Sequence, residues 1–240
     1  MTSFVLVAGA WHGAWCWERV TPLLEARGHR VIARDLPGTG ADTTDPRHAT
    51  LAAWAEFLAH LITAEAEPVI LVGHSRGGVV ISAAAELVPE RVRRLVFVAG
   101  YLLPAGEYLA AAARADRASL IAPNMLPVRG GVTCALRPQS VRAALYHRCS
   151  EEDAAWAEAR LTPEPLKPLA TPLSVTAARF GRVPRAYVEC GDDRAVTPAA
   201  QAAMRARSPC DPVFTLDCDH SPFLSQPEQL SVLLDRLGGL

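Results

Sequence analysis

Short apolar runs alternate with longer amphipathic stretches along most of the chain. Six runs rich in Val, Ile, Leu or aromatic residues, each bounded by Gly, Pro or charge, predict buried strands at 4–7, 30–33, 69–72, 95–98, 186–188 and 213–216. Helical patterns cover 15–27, 51–63, 77–87, 198–207 and 227–237. Strands that alternate with helices are typical of a parallel sheet covered on both faces. The pattern therefore predicts an α/β fold with a mostly parallel six-stranded sheet.

One interval breaks this alternation. Between 101 and 183 there is no fully apolar strand and prolines are frequent, although helical pieces are predicted at 107–115 and 151–160. A long insertion between two strands of a sheet is more often a cap over a site than a structureless loop. We therefore expect one structural domain, with a core made of 1–100 and 184–240 and a cap made of 101–183.

Composition and charge narrow the class of protein. The 240 residues suit one α/β domain, and the formal net charge of −1 gives no global field that would attract nucleic acid or an acidic membrane. No apolar stretch reaches the length of a membrane span, and no signal-peptide pattern precedes the first strand, so we expect a cytoplasmic protein. The six cysteines form no C-x-x-C pair, which predicts reduced packing residues.

The sequence Gly73-His74-Ser75-Arg76-Gly77 carries the first chemical signal. It is a G-x-S-x-G pattern that directly follows a predicted buried strand and directly precedes a predicted helix. This context is typical of the sharp turn that exposes the nucleophilic serine of α/β-hydrolases. Ser75 is therefore the predicted nucleophile, and the backbone N–H of Arg76, at the helix start, is positioned to stabilise a developing oxyanion.

A serine nucleophile needs a base, and the base needs an orienting acid. In α/β-hydrolases these follow the serine in the order acid then histidine, each just after a strand. His220 follows the last predicted strand and is the only histidine after the candidate acid loop. That loop contains Asp192 and Asp193, of which only one can reach the imidazole, while Asp217 and Asp219 lie close to His220 in sequence. We take Asp193 as the acid and Asp192 as the alternative.

The loop after the first strand, 8–15, is the expected source of a second oxyanion donor. Its small residues let the backbone approach a substrate oxygen closely, and the N–H of Ala10 is the candidate that would act with that of Arg76. His12 lies in the same loop but precedes the nucleophile in the chain. We therefore interpret His12 as a structural residue that anchors the loop.

Several segments together resemble the plant methylesterase and hydroxynitrile lyase family within the α/β-hydrolases. They are VAGAWHGAWCW at 7–17, GHRV at 28–31, DLPG at 35–38, the turn around Ser75, CSEE at 149–152, RLTP at 160–163 and VPRAYV at 183–188. The likeness covers nearly the whole chain and extends to bacterial members of the family.

This resemblance implies an α/β-hydrolase fold with an inserted cap. It also implies a triad of Ser75, Asp193 and His220, with oxyanion donors at Ala10 and Arg76. The family has no metal or organic cofactor, and its best-known activities hydrolyse small esters, often methyl esters, of apolar acids. The expected partner is therefore a small-molecule ester, without nucleic acid or membrane, and the sequence leaves a homo-oligomer open.

Two positions depart from the family pattern. Ala8 stands where a histidine usually precedes the first-loop glycine, and Arg76 stands where the residue after the nucleophile is usually small or apolar. The Arg76 side chain has two interpretations: it attracts a substrate carboxylate, or it folds back onto a nearby acid such as Asp35. The first half of the cap matches the family only loosely. The candidate pocket residues are Trp11, Met125, Leu126, Trp156 and Phe223.

Ester hydrolysis is the first functional hypothesis, and three others stay open. The plant lyases of the family carry a lysine after the catalytic histidine and a threonine in the first loop, where this chain has Ser221 and Gly9. This chain therefore lacks the lysine cation that would hold cyanide during cyanohydrin cleavage. The remaining alternatives are a hydrolase or cyclase that acts on a thioester or lactone intermediate, and a non-catalytic small-molecule binder.

Overall fold

A computed structural model describes residues 1–239. The fold is organised around a parallel β-sheet. The nine strands of the described chain are β1 Ser3–Val7, β2 Arg30–Ala33, β3 Val69–His74, β4 Val92–Val98, β5 Met125–Val128, β6 Thr133–Leu136, β7 Glu164–Pro165, β8 Arg185–Cys190 and β9 Val213–Leu216. Six of them form one sheet in the order β2-β1-β3-β4-β8-β9. Every neighbouring pair in this sheet is parallel. All six strands predicted from the apolar runs are present.

The centre of this sheet is the core of the molecule. β3 is buried at all six of its positions, so both of its faces are covered. Its Val-Ile-Leu-Val run is typical of a strand buried on both sides in a parallel sheet. Because parallel strands end at the same edge, the loops after β1, β3, β8 and β9 meet there, which places the predicted chemistry at one edge.

Residues 1–239 contain ten α-helices. They are α1 Val20–Glu25, α2 Leu51–Thr63, α3 Gly77–Leu87, α4 Leu109–Ala115, α5 Pro138–Leu145, α6 Glu151–Glu158, α7 Leu166–Leu169, α8 Pro198–Arg207, α9 Pro222–Ser225 and α10 Pro227–Gly239. α1 packs against α10, and α2 packs against α3. The helix predicted over 15–27 is instead a 3-10 turn, Ala14–Trp17, followed by the shorter α1.

The segment 101–183, called the cap here, contains none of the strands of the parallel sheet. In it, β5, β6 and β7 form a three-stranded antiparallel sheet. The same segment also contains the four helices α4, α5, α6 and α7. The sequence did not predict these strands, because they are short and two of them contain a proline, at Pro127 and Pro165. α5 and α7 were also not predicted; α7 has only four residues, one of them a proline.

The state of the cysteines and the membrane-span expectation can also be compared with the structure. All six cysteines are free thiols, and four of them are buried. Among residues 1–239, no helix combines the length and the apolar character that a bilayer crossing requires.

Candidate active site

Ser75 lies in a strained turn between β3 and α3. Its φ is +50°, in the left-handed region that residues other than glycine rarely adopt. Its N–H donates to the Val98 carbonyl at 3.1 Å, which ties the turn to the end of β4. A Cβ at Gly77 would lie 2.7 Å from the Val7 carbonyl oxygen, so only glycine lets α3 start this close to β1. Strain at a held position of this kind is typical of functional sites.

His220 and Asp193 are brought together from the loops after β9 and β8. Nδ1 of His220 lies 2.6 Å from Oδ2 of Asp193, and both side chains are buried. The other oxygen of Asp193 accepts the N–H groups of Ala195 at 2.7 Å and Val196 at 2.9 Å. These contacts fix the carboxylate, which in turn holds the proton of the imidazole on Nδ1 and leaves Nε2 as the basic nitrogen.

The other candidate acids lie elsewhere. Asp192 is partly exposed and pairs with His147, 3.1 Å away, and with Arg148. Asp217 is largely exposed and also pairs with Arg148, at 2.6 Å. Asp219 is buried, but its carboxylate accepts the N–H of Arg148 rather than an imidazole proton. Asp193 is therefore the carboxylate that contacts His220.

Ser75 and His220 both line a single cavity, together with Ala10 and Arg76. The Ser75 hydroxyl and His220 are not hydrogen-bonded to each other in this structure; such contacts are often long before a substrate binds. Within residues 1–239, the backbone N–H groups of Ala10 and Arg76 have no hydrogen-bond acceptor. Two unpaired N–H groups beside a serine hydroxyl can accept a developing oxyanion.

Two further histidines support this arrangement. His12 Nδ1 donates to the Ala10 carbonyl at 2.8 Å, and its Nε2 accepts the Tyr146 hydroxyl at 2.7 Å. Burial lowers the pKa of His12 to about 3, so it stays neutral. His74 donates through Nε2 to the His220 carbonyl at 2.8 Å, and burial also lowers its pKa. Both residues hold backbone next to the site, as the sequence suggested for His12.

The Arg76 side chain is buried and paired. Its Nε lies 3.0 Å from Oε1 of Glu164, a buried residue of β7 in the cap, and its guanidinium lies 4.6 Å from the centre of the Trp54 ring. Burial raises the pKa of the Glu164 carboxyl, and the Arg76 charge opposes that rise. Of the two interpretations, the side chain folds back onto an acid. The suggested partner, Asp35, was wrong: its carboxylate accepts the N–H groups of Ala14 and Ala41 instead.

The cavity above Ser75 measures about 230 Å³ and is mainly apolar. Trp11 and Met125 line it, as predicted. The residues that sequence reasoning missed are Tyr101, Leu109, Ala110, Ala113, Arg114, Ile121, Ala122, Leu169, Ala195 and Val196. Most come from the cap and many are alanines, whose small apolar side chains carry no sequence signal that separates a cavity wall from ordinary core.

Three predicted lining residues do not line the cavity. Leu126 lies on β5 next to Met125, so its side chain points to the opposite face of the strand. Trp156 packs edge-on against Trp15 outside the cavity. Phe223 is fully buried beneath the site, in contact with the rings of His12 and His74.

The cap also touches the loop that carries the acid. The Asp116 carboxylate, just after α4, accepts the N–H and the hydroxyl of Thr197, each at 2.9 Å. The Ser119 hydroxyl donates to the Ala195 carbonyl at 2.7 Å. The Asp193 loop is therefore fixed between the core and the cap.

Nothing in this site is arranged for a metal ion. Within residues 1–239, no group of three or more His, Cys, Asp or Glu side chains has the spacing that a metal site requires.

Comparison with known proteins shows the family of this chain. The model of the alpha/beta hydrolase family matches residues 4–231. Methylesterase 7 of Arabidopsis thaliana is 34% identical over 97% of this chain and 94% of its own length. A methylesterase structure from Arabidopsis superposes with a TM-score of 0.84 at 26% identity, covering 99% of this chain and 98% of the other. A pyrethroid hydrolase from Sphingobium faniae superposes with a TM-score of 0.88 at 28% identity, covering 99% and 97%. The chain belongs to the alpha/beta hydrolase family and is a relative of the plant methylesterases.

Proposed function

We propose that the protein hydrolyses a small, mainly apolar carboxylic ester, with methyl esters as a favoured form, through a Ser75–His220–Asp193 triad. The observation that carries this proposal is the single cavity lined by Ser75, His220 and the residues of the two unpaired N–H groups, Ala10 and Arg76. That the protein is a serine ester hydrolase follows from its methylesterase and esterase relatives.

Each of these groups has a defined part in the reaction. His220 Nε2 takes the proton of the Ser75 hydroxyl as its oxygen attacks the ester carbon, while Asp193 holds Nδ1 and stabilises the imidazolium. The oxyanion accepts hydrogen bonds from the N–H groups of Ala10 and Arg76. His220 then returns the proton to the departing alkoxide, which leaves an acyl group on Ser75. A water molecule deprotonated by His220 attacks this acyl-enzyme, and His220 returns that proton to the Ser75 oxygen as the acid leaves.

The cavity supports a small apolar substrate. Pockets for drug-sized ligands measure roughly 300–1,000 Å³, and this one is smaller, at about 230 Å³. Its walls include Ile121, Met125, Leu169 and Val196, which cannot solvate a strongly polar acyl group. The names of the methylesterase relatives support a methyl ester as the scissile group.

The test compares wild type with Ser75→Ala on p-nitrophenyl acetate and on methyl esters of small apolar acids. We expect Ser75-dependent release, and labelling of Ser75 by a serine-directed phosphonate. Equal release from both proteins together with no labelling would refute the hydrolase mechanism.

The same assays separate the alternatives. If only thioesters or lactones are turned over, the substrate is such an intermediate rather than a simple ester. Tight binding without Ser75-dependent turnover would indicate a binder. Cyanide release is not expected, since the buried Ser221 occupies the position where the plant lyases carry lysine. The cytoplasmic location and a homo-oligomer stay predictions from the sequence.

A further inference from the structure

The buried Arg76–Glu164 pair brackets the loop that carries the Ala10 N–H. Nη2 of Arg76 donates to the Gly9 carbonyl at 2.9 Å. Oε2 of Glu164 accepts the N–H of Trp11 at 3.0 Å. The residues on both sides of Ala10 are therefore held by the two members of one ion pair, whose closest atoms are 3.0 Å apart.

The contact to Gly9 has a direct geometric consequence. The Gly9 carbonyl and the Ala10 N–H belong to the same planar peptide unit, and in a trans peptide they point in opposite directions. A donor that holds the carbonyl on one side therefore sets where the N–H points on the other side. The positive charge at the carbonyl oxygen also polarises this peptide unit, which strengthens its N–H as a donor.

The guanidinium itself has little freedom. It is 2% exposed, lies against the Trp54 ring and meets a Glu164 side chain that is 1% exposed. A charged side chain buried this deeply is costly unless it is paired, and Glu164 supplies the opposite charge. Trp11 also has a φ of +65°, so the loop takes a strained conformation just where the pair holds it.

We propose that the Arg76 side chain, fixed by Glu164 of the cap, orients the Gly9–Ala10 peptide so that its N–H meets the oxyanion. This inference rests on the proposed function. Arg76 then supplies one oxyanion donor through its own backbone and aims the second through its side chain. Glu164 is a positioning residue, since it acts only through Arg76 and the N–H of Trp11.

The main variant is the double substitution Arg76→Met with Glu164→Gln. It removes both charges together, while the glutamine oxygen still accepts the N–H of Trp11. Replacing a buried ion pair by neutral side chains of similar size often leaves a fold intact. Loss of one oxyanion donor typically lowers kcat about 10²–10³-fold, so a donor that is present but misdirected should lower it by about 10–100-fold.

Two readouts separate positioning from a general structural role. We expect kcat for p-nitrophenyl acetate to fall while KM changes by less than about threefold, because the substrate ground state does not use the oxyanion donors. Affinity for a trifluoromethyl ketone, which forms a tetrahedral oxyanion on the serine, should fall by a similar factor to kcat. Arg142→Met, which removes an exposed ion pair with Glu151 in the cap, is the matched control and should match wild type.

Arg76→Lys is the second variant in case the double variant does not fold. It keeps the charge opposite Glu164 but loses the planar fork that reaches Glu164 and Gly9 together, so we expect an intermediate loss of kcat. Wild-type kcat and analogue affinity in a folded double variant, or in Arg76→Lys, would overturn the positioning role. Absence of Ser75-dependent turnover in wild type would instead overturn the proposed function.

Discussion

Replacing Asp193 by asparagine tests the triad most directly, because the contacts of Asp193 determine the orientation of the new side-chain amide. Oδ1 of Asp193 receives two backbone N–H groups, at 2.7 and 2.9 Å, so an NH₂ group at that position would face two donors. The asparagine oxygen therefore stays there, and its NH₂ group faces Nδ1 of His220, where Oδ2 now lies 2.6 Å away. The imidazole must then accept at Nδ1 and carry its proton on Nε2.

That tautomer cannot take the proton of Ser75. The equivalent change in a serine protease lowers kcat by about 10⁴, or roughly 5 kcal/mol of transition-state stabilisation, and we expect a similar loss in Asp193→Asn. Binding should be little affected, since Asp193 does not line the cavity. The assay is the steady-state hydrolysis of p-nitrophenyl acetate, with Ser75→Ala as the baseline.

Asp192→Asn is the matched control. It makes the same chemical change one residue away, on a partly exposed side chain that pairs with His147 and Arg148. We expect activity within about twofold of wild type, since exposed ion pairs contribute little. A loss below tenfold in Asp193→Asn, or a larger loss in Asp192→Asn than in Asp193→Asn, would refute this assignment of the acid.

Two more predictions concern the packing around the site. Gly9→Ala would place a Cβ 2.7 Å from Nδ1 of His74 and 3.0 Å from Cβ of Ser75, so we expect a loss of about 1–3 kcal/mol in the free energy of unfolding, with lower activity. Gly239→Ala, which meets no atom within 4 Å, should be neutral in the same urea titration. His12 has a pKa of about 3 in the fold and an ordinary value near 6.5, so the unfolded chain binds its proton first as the pH falls. Below about pH 6, His12 therefore lowers the free energy of unfolding by about 1 kcal/mol for each pH unit. If the unfolding free energies of wild type and His12→Gln depended on pH with the same slope, this prediction would be wrong.

The parts of the fold that follow from local pattern were predictable from sequence. The six parallel strands are continuous apolar runs, and α2, α3 and α8 begin and end at the predicted residues. The turn around Ser75 could be identified because its glycines and its strand–turn–helix context lie within one short segment. His220 followed from chain order in the same way.

What the sequence could not show depends on contacts between distant segments. The sequence allowed the Arg76 side chain to pair with an acid, with Asp35 as an example of a nearby one, but Glu164 lies in a two-residue strand that no pattern predicts. The choice between Asp192 and Asp193 depends on which way adjacent side chains project after β8, a matter of backbone geometry. The cavity walls were missed because alanines such as Ala110 and Ala113 are ambiguous in any helix.

The contacts from the cap to the core limit how this enzyme can be re-engineered. Substrate preference in the proposed esterase would be changed most simply by exchanging 101–183 for the corresponding segment of a relative. Yet Asp116 and Ser119 hold the loop of the catalytic acid, and Glu164 holds Arg76. A transplanted segment that lacks these three side chains would lose turnover together with selectivity. The cap is thus not an interchangeable module, and new specificities are better sought by changing single wall residues such as Ala113.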